Sequence, residues 1–307
     1  MAYHGAALIM GARLRVLVTG VGGFIGGNLI ARAPPDWDVV GLSRSTDGGT
    51  SPGLMRMPTV DEALAPELAH GFDAIVHLAG NANHGLADRE PWADLTATGV
   101  LAASILGRIP TRRVVLLSSA AVYAGLSGPV DPGRCVRPPM AYALSKLYVE
   151  GLVASLVAGG RAQSAFIVRL YNAFGPGERP GRLIPRVVEA ARAGTPFTLT
   201  GDPSSLSDPV HVDDVVTCLV AAVHSSVQGT FDLCGGDPVP LGDQVARIAG
   251  VLGLREPSLT IEPRNGEIPI HFHSDPGPLS AALGIPRPEE FASGLRRYAA
   301  ASGWINT

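Results

Sequence analysis

At 307 residues, with 46% apolar and 17% charged residues and a net charge of −3, the chain has the make-up of a folded globular protein, not of a disordered or fibrous one. The small net charge, with no Arg-rich run or aromatic–basic alternation, argues against a nucleic-acid partner. No run of about 18 apolar residues marks a membrane span, and residues 1–12 lack the basic start and long apolar core of a signal peptide.

Leu14 to Thr19 is a short β-branched run and predicts a buried strand. Gly20-Val21-Gly22-Gly23-Phe24-Ile25-Gly26 comes next, and then helical spacing through Leu29, Ile30 and Ala31. A strand, a glycine turn and a helix are the context of a dinucleotide fingerprint. Gly20 permits the tight turn, Gly23 lets the backbone approach a pyrophosphate, and Gly26 lets helix and strand pack closely. Phe24 and Ile25 open the helix, whose free N–H groups and dipole favour the phosphates. The glycines are spaced Gly-x-x-Gly-x-x-Gly.

Trp37 to Leu42 predicts the next strand, and its end reads Ser43-Arg44-Ser45. An acid at this place would hold the ribose 2′-hydroxyl of NAD, whereas an Arg accommodates the 2′-phosphate of NADP. Ser43 and Arg44 favour NADP, with NAD as the alternative. Asp73 to Gly80 predicts a third buried strand whose small end, Leu78-Ala79-Gly80, would let a cofactor lie against the strand tip. His77 within it reads as a packed residue. A helix is expected from Trp92 to Leu106, and a strand from Arg113 to Leu117 that ends in Ser118-Ser119. Parallel strands alternating with helices make a doubly wound sheet that binds ligands at its carboxyl edge. Ser119 lies at that edge and can bond a substrate oxygen, or else caps the next turn.

Lys146 is the only lysine of the chain; every other residue among the 24 Lys plus Arg is arginine. It lies four residues after Tyr142, so on a helix the two share a face. A compact ammonium beside a tyrosine favours the phenolate, which allows proton exchange as a general acid or base.

Thr19-Gly-x-x-Gly23-x-x-Gly26, Asp73 to Ala79, Ser118-Ser119 before Val122-Tyr123, Tyr142-x-x-x-Lys146 and Arg169-Leu-Tyr-Asn172-Ala-Phe-Gly175-Pro176 stand in order and spacing. Together they resemble an extended short-chain dehydrogenase/reductase of the NAD-dependent epimerase/dehydratase family, over roughly residues 13–300. The resemblance implies an α/β fold, a doubly wound parallel Rossmann-type sheet with a smaller C-terminal substrate-binding lobe. Residues 13–172 with 209–235 would form the dinucleotide domain, and 173–208 with 236–300 the lobe. Elements of the second half are expected over Leu183 to Ala193, Pro196 to Thr200, from His211, over Thr230 to Leu233, Leu241 to Leu252 and Pro288 to Tyr298.

The resemblance further implies that Tyr142 passes a proton to or from a substrate hydroxyl or ketone. Lys146 would bond the nicotinamide ribose, and Ser119 would hold the same substrate oxygen as Tyr142. Ser118 would face the cofactor, Asn172 the substrate. In relatives that bind nucleotide sugars an arginine precedes the aspartate at Asp208 and grips the diphosphate. Ser207 stands there, and Arg182 and Arg264 are candidate substitutes. Ala120-Ala121 come after Ser119 where 4,6-dehydratases carry an acid pair, which argues against dehydration. Thr96 stands where the family often has an Asn.

A ketoreductase acting on a sugar nucleotide or sugar-like ring with NADPH is therefore favoured. An NAD-dependent sugar-nucleotide 4-epimerase is the alternative, and a non-catalytic cofactor sensor is a third reading. The partner is a small molecule; a homodimer is implied by the resemblance alone. Cys135, Cys218 and Cys234 form no close pair and no metal spacing, so free thiols in a reducing cytoplasm, and no metal site, are expected.

Overall fold

Runs of buried β-branched residues build the centre of the molecule. The computed structural model describes residues 13–44, 53–58, 62–264 and 266–305. In chain order the first half holds β1 (Leu14–Thr19), α1 (Phe24–Ala31), β2 (Trp37–Ser43), β3 (Leu54–Arg56), α2 (Pro66–Ala69), β4 (Phe72–His77), α3 (His84–Arg89), α4 (Pro91–Leu95), α5 (Leu101–Leu106) and β5 (Thr111–Ser119). Then come β6 (Ser127–Pro129), α6 (Ala141–Ala158), β7 (Ser164–Leu170), β8 (Asn172–Phe174), α7 (Leu183–Ala193), β9 (Phe197–Thr200), β10 (Leu206–Ser207) and β11 (Pro209–His211). The remainder is α8 (Val212–His224), β12 (Gly229–Leu233), β13 (Val239–Pro240), α9 (Leu241–Val251), β14 (Leu259–Glu262), β15 (His271–His273), α10 (Gly277–Leu283) and α11 (Phe291–Ala301).

Seven strands form one sheet in the order β12-β7-β5-β4-β1-β2-β3, and every neighbouring pair is parallel. The expected doubly wound sheet is thus present. Side chains alternate between its faces. Val16, Val18, Ala74, Val76, Val115 and Val168 enter one core, closed by α1 and α8. Leu17, Ile75, Val114, Leu116 and Ile167 enter the other, closed by α5 and α6. Coverage on both faces explains why the strands read as unbroken apolar runs. A separate core of Phe174, Val187, Phe197, Val245, Ile248 and Leu295 holds the small lobe together. Ala120, Val122, Tyr123, Val130 and Phe272 form a fourth cluster under the β6–β15 pair.

The helix expected from Trp92 to Leu106 is interrupted. Thr96–Val100 is a π-turn between α4 and α5, and the Thr96 hydroxyl donates back to the Trp92 carbonyl at 2.8 Å. Such a one-residue insertion rotates the succeeding turns without ending the helix. The last predicted helix begins later than Pro288, at Phe291. By length and composition α6 could cross a membrane, but here its Tyr142, Lys146, Val149, Glu150 and Val153 face is buried in the fold.

Candidate active site

Strand order reverses between β1 and β4, and open α/β sheets bind ligands at the carboxyl side of that point. Gly20 there has φ +77°, and a Cβ on it would lie 3.0 Å from the Ala79 amide nitrogen. Gly26 is tighter still: its Cβ would stand 2.2 Å from the Gly20 carbonyl oxygen. Gly23 caps α1 with no side chain over the helix start, and Phe24 and Ile25 are the first helical residues. The result is a bare helix N-terminus pressed on a strand tip, a cradle that can hold a pyrophosphate. A Cβ on Gly22 would meet the Ser43 hydroxyl at 3.0 Å, so the end of β2 lies against the same loop. Arg44 comes directly after it, exposed. Ser45 lies outside the described residues.

The neighbouring tip is locked by Thr19. Its hydroxyl oxygen accepts from the Leu78 and Ala79 amides, both at 3.1 Å, and it pairs with His77 Nδ1 at 3.1 Å. With both lone pairs of Thr19 used, its single proton goes to His77, which assigns Nδ1 as acceptor and leaves the ring proton on Nε2. Burial, reinforced by the charge of Lys146, pushes the His77 pKa down to about 3. His77 is therefore neutral, a packed residue as expected, and it lines a small cavity with Ala79, Thr98, Ser118 and Lys146. Gly80 closes the rim: a Cβ on it would lie 3.5 Å from both Lys146 Nζ and Thr98 Oγ1.

Tyr142 and Lys146 sit one turn apart in α6, both buried, with Nζ 5.8 Å from the tyrosine ring centroid. Ser119 ends β5 and is half-buried; its Oγ accepts the Ala121 amide at 3.1 Å. Capping the turn uses a lone pair only, so the Ser119 O–H can still donate to an oxygen in the cleft. Ser118, one residue earlier, gives its proton to Glu150. Asn172 is exposed on β8, which pairs with β11.

The candidate phosphate ligands stand on the small lobe. Arg182 precedes α7 and its Nε lies 3.5 Å from Glu178. Burial drives the Glu178 pKa up to about 7, against the opposing charge of Arg182. Arg264 is exposed just beyond β14. Ser207 is buried and paired with Val239 in the β10–β13 ladder, and so points to no open surface. Tyr171 was not anticipated; burial, followed by the charge of Asp232, raises its pKa. Thr98 was also missed. Thr96, the position compared with the family Asn, is exposed, whereas Thr98 is buried, lines the cavity and accepts the Asn81 amide at 3.0 Å. Both threonines lie in the π-turn, which periodicity alone does not reveal. Among the described residues no cluster of His, Cys, Asp and Glu could hold a metal ion.

The sequence pattern of the NAD dependent epimerase/dehydratase family matches residues 16–233. A dTDP-4-dehydro-6-deoxy-D-allose reductase from Streptomyces sp is 27% identical, over 87% of this chain and 93% of the relative. A dTDP-glucose 4,6-dehydratase from Mycolicibacterium smegmatis is 26% identical, over 92% and 91%. The structure of MoeE5 in complex with UDP-glucuronic acid and NAD superposes with a TM-score of 0.81 at 25% identity, covering 94% of this chain and 99% of that one. The fold agrees with these likenesses, and the chain belongs to the NAD-dependent epimerase/dehydratase family of extended short-chain dehydrogenase/reductase enzymes.

Proposed function

We propose that this enzyme reduces a ketone on the sugar ring of a sugar nucleotide, using NADPH. One observation carries the reading. Tyr142 and Lys146 share the buried face of α6 beside the end of β5, while the turn after Ser119 carries Ala120 and Ala121 in place of acids. The pair suited to proton transfer is retained, and the carboxylates that would eliminate water are missing. Glu150 and Asp232 cannot replace them, because Arg169, Tyr123 and Ser274 already engage their carboxylates.

Gly20, Gly23, Phe24, Ile25 and Gly26 would hold the pyrophosphate, Ser43 and Arg44 the adenosine ribose, and Leu78, Ala79, Gly80 and Ser118 the nicotinamide half. The cofactor, when bound, supplies the hydride. The chain does the rest. Ser119 donates a hydrogen bond to the ketone oxygen and fixes its place. Tyr142 gives that oxygen its proton, and Lys146 stabilises the phenolate left behind. Asn172, Arg182 and Arg264 would bind the nucleotide part of the substrate, Arg182 by exchanging Glu178 for a phosphate oxygen.

NADP is inferred from the end of β2, where Arg44 stands after Ser43 and no carboxylate is present. The MoeE5 structure contains NAD, so the cofactor is the first thing to test. Denaturing the purified protein and identifying any released nucleotide, then titrating the empty protein with NADPH and NADH, separates the readings. Binding of NADPH at least about tenfold tighter, a difference of about 1.4 kcal/mol, and loss of that preference in Arg44→Ala support the ketoreductase. Stoichiometric NAD retained through purification contradicts it and favours the 4-epimerase.

A further inference from the structure

A chain of buried polar side chains runs beneath the catalytic face, and of its links only Ser118 also lines the cavity beside Lys146. Glu150 lies on α6, four residues after Lys146 and eight after Tyr142, on the same buried face. Its carboxylate takes three hydrogen bonds. One comes from the Ser118 hydroxyl on β5. The other two come from Arg169 on β7, Nε to Oε1 at 3.1 Å and Nη2 to Oε2 at 2.8 Å. Ser118 and Arg169 are register partners across the β5–β7 ladder. The remaining Arg169 nitrogen, Nη1, donates to Tyr123 Oη at 2.9 Å. Tyr123 passes its own proton to Asp232 at 2.9 Å, and Asp232 accepts Ser274 Oγ, just past β15, at 2.7 Å.

A fully buried ion pair is poor evidence for stability, because desolvation consumes most of what the charges gain. What this one supplies is geometry. A forked guanidinium against a carboxylate has one good arrangement. That arrangement fixes α6 to the tips of two adjacent strands at the level of Ser118 and Arg169. Ser119 is the next residue on β5, and Lys146 is the next turn of α6. The spacing between Ser119, Tyr142 and Lys146 is set by the apolar contacts of α6 and by this pair.

We propose that Glu150 and Arg169 are positioning residues, which act through Lys146 to align the catalytic helix on the cofactor. The proposal rests on the reading of Lys146 as a cofactor contact, but on no particular sugar substrate. It is tested by a double-mutant cycle on affinity for the reduced cofactor, whichever of NADPH and NADH the wild type binds tighter. Glu150→Leu/Arg169→Met removes the charges together and keeps apolar bulk; Lys146→Ala removes the group on which they act. The expected result is a loss of about tenfold for the pair variant, about tenfold for Lys146→Ala, and still only about tenfold for all three together, because both routes remove one alignment. An additive loss of about a hundredfold, or wild-type affinity in the pair variant, overturns the proposal. Ile248→Ala, in the small-lobe core, serves as a control that lowers stability and leaves affinity unchanged. Should the pair variant not fold, Glu150→Gln carries the same cycle. If Lys146→Ala alone leaves affinity unchanged, the reading of Lys146 falls, and the positioning role falls with it.

Discussion

Two adjacent glycines show how finely the cradle is drawn at the scale of single residues. A Cβ on Gly26 would stand 2.2 Å from the Gly20 carbonyl oxygen, whereas one on Gly27 would sit 3.7 Å from the Val21 oxygen with no closer neighbour. The first is an overlap with backbone, which cannot swing away; the second is ordinary contact on an exposed helix face. Gly26→Ala is expected to cost on the order of 1–3 kcal/mol of stability and to abolish cofactor binding. Gly27→Ala is expected to be neutral or to stabilise by about 0.5–1 kcal/mol, as for any glycine replaced in a helix. Thermal unfolding and cofactor titration of the two variants check this, and equal behaviour would contradict it. The places of Gly20, Gly26, Tyr142 and Lys146 in the fold were legible in the chain because each depends on spacing along one local element. Thr98, Glu150 and Arg169 were not read as part of the site. Their surroundings are made by strands and helices far apart in sequence, and a lone Glu or Arg carries no sign that it is buried.

At the scale of elements the loop between β8 and α7 is the most informative. Gly177 approaches Phe24 and Asn28 of α1, and Asn28 donates to the Pro176 carbonyl at 2.9 Å. The next residue, Glu178, is carried into an apolar setting with one carboxylate oxygen unbonded. Its pKa rises from 4.5 to about 7, chiefly by burial. The folded state therefore holds a proton that the unfolded state has already released, and stability falls as pH rises from 4.5 through 7. Glu178→Gln removes that loss. The variant should match the wild type at about pH 4 and exceed it by up to about 3 kcal/mol at about pH 8. Urea unfolding at both values measures it; a difference independent of pH would show that the carboxyl is not held in its neutral form. Strands β1, β2, β4 and β5 and helix α7 were visible in the sequence because each is an apolar or periodic run. The β6–β15 and β10–β13 pairs were not, since bridges of two or three residues between distant segments leave no period. The π-turn after α4 was hidden for a related reason: one extra residue within a helix leaves the composition unchanged.

Over the whole molecule, two bodies are tied across the cleft by polar links as well as by chain connections. Arg297 of α11 meets Asp213 of α8 at 3.1 Å and Ser274 reaches Asp232, while Arg32 of α1 holds the same Asp213 at 2.8 Å from within the large body. The chain also returns late to the large sheet: Leu279 of α10 is buried in the same core as Leu233 of β12. The overall Rossmann-type plan was readable from the sequence because strand–helix alternation is written locally. This late return is not, because nothing in the composition of α10 distinguishes one core from the other. A ketoreductase built on this architecture transfers one hydride for each cofactor consumed. Purified protein should be incubated with a thymidine diphosphate 4-keto-6-deoxy sugar and with NADPH carrying deuterium at the transferred position, and the sugar product examined by mass spectrometry. The account predicts one deuteron on the new carbinol carbon for each NADPH oxidised, and no product from Tyr142→Phe. No reduction of the keto sugar and no consumption of NADPH, with a thymidine diphosphate sugar carrying a C4 hydroxyl instead inverted at C4 without uptake of label, would contradict it.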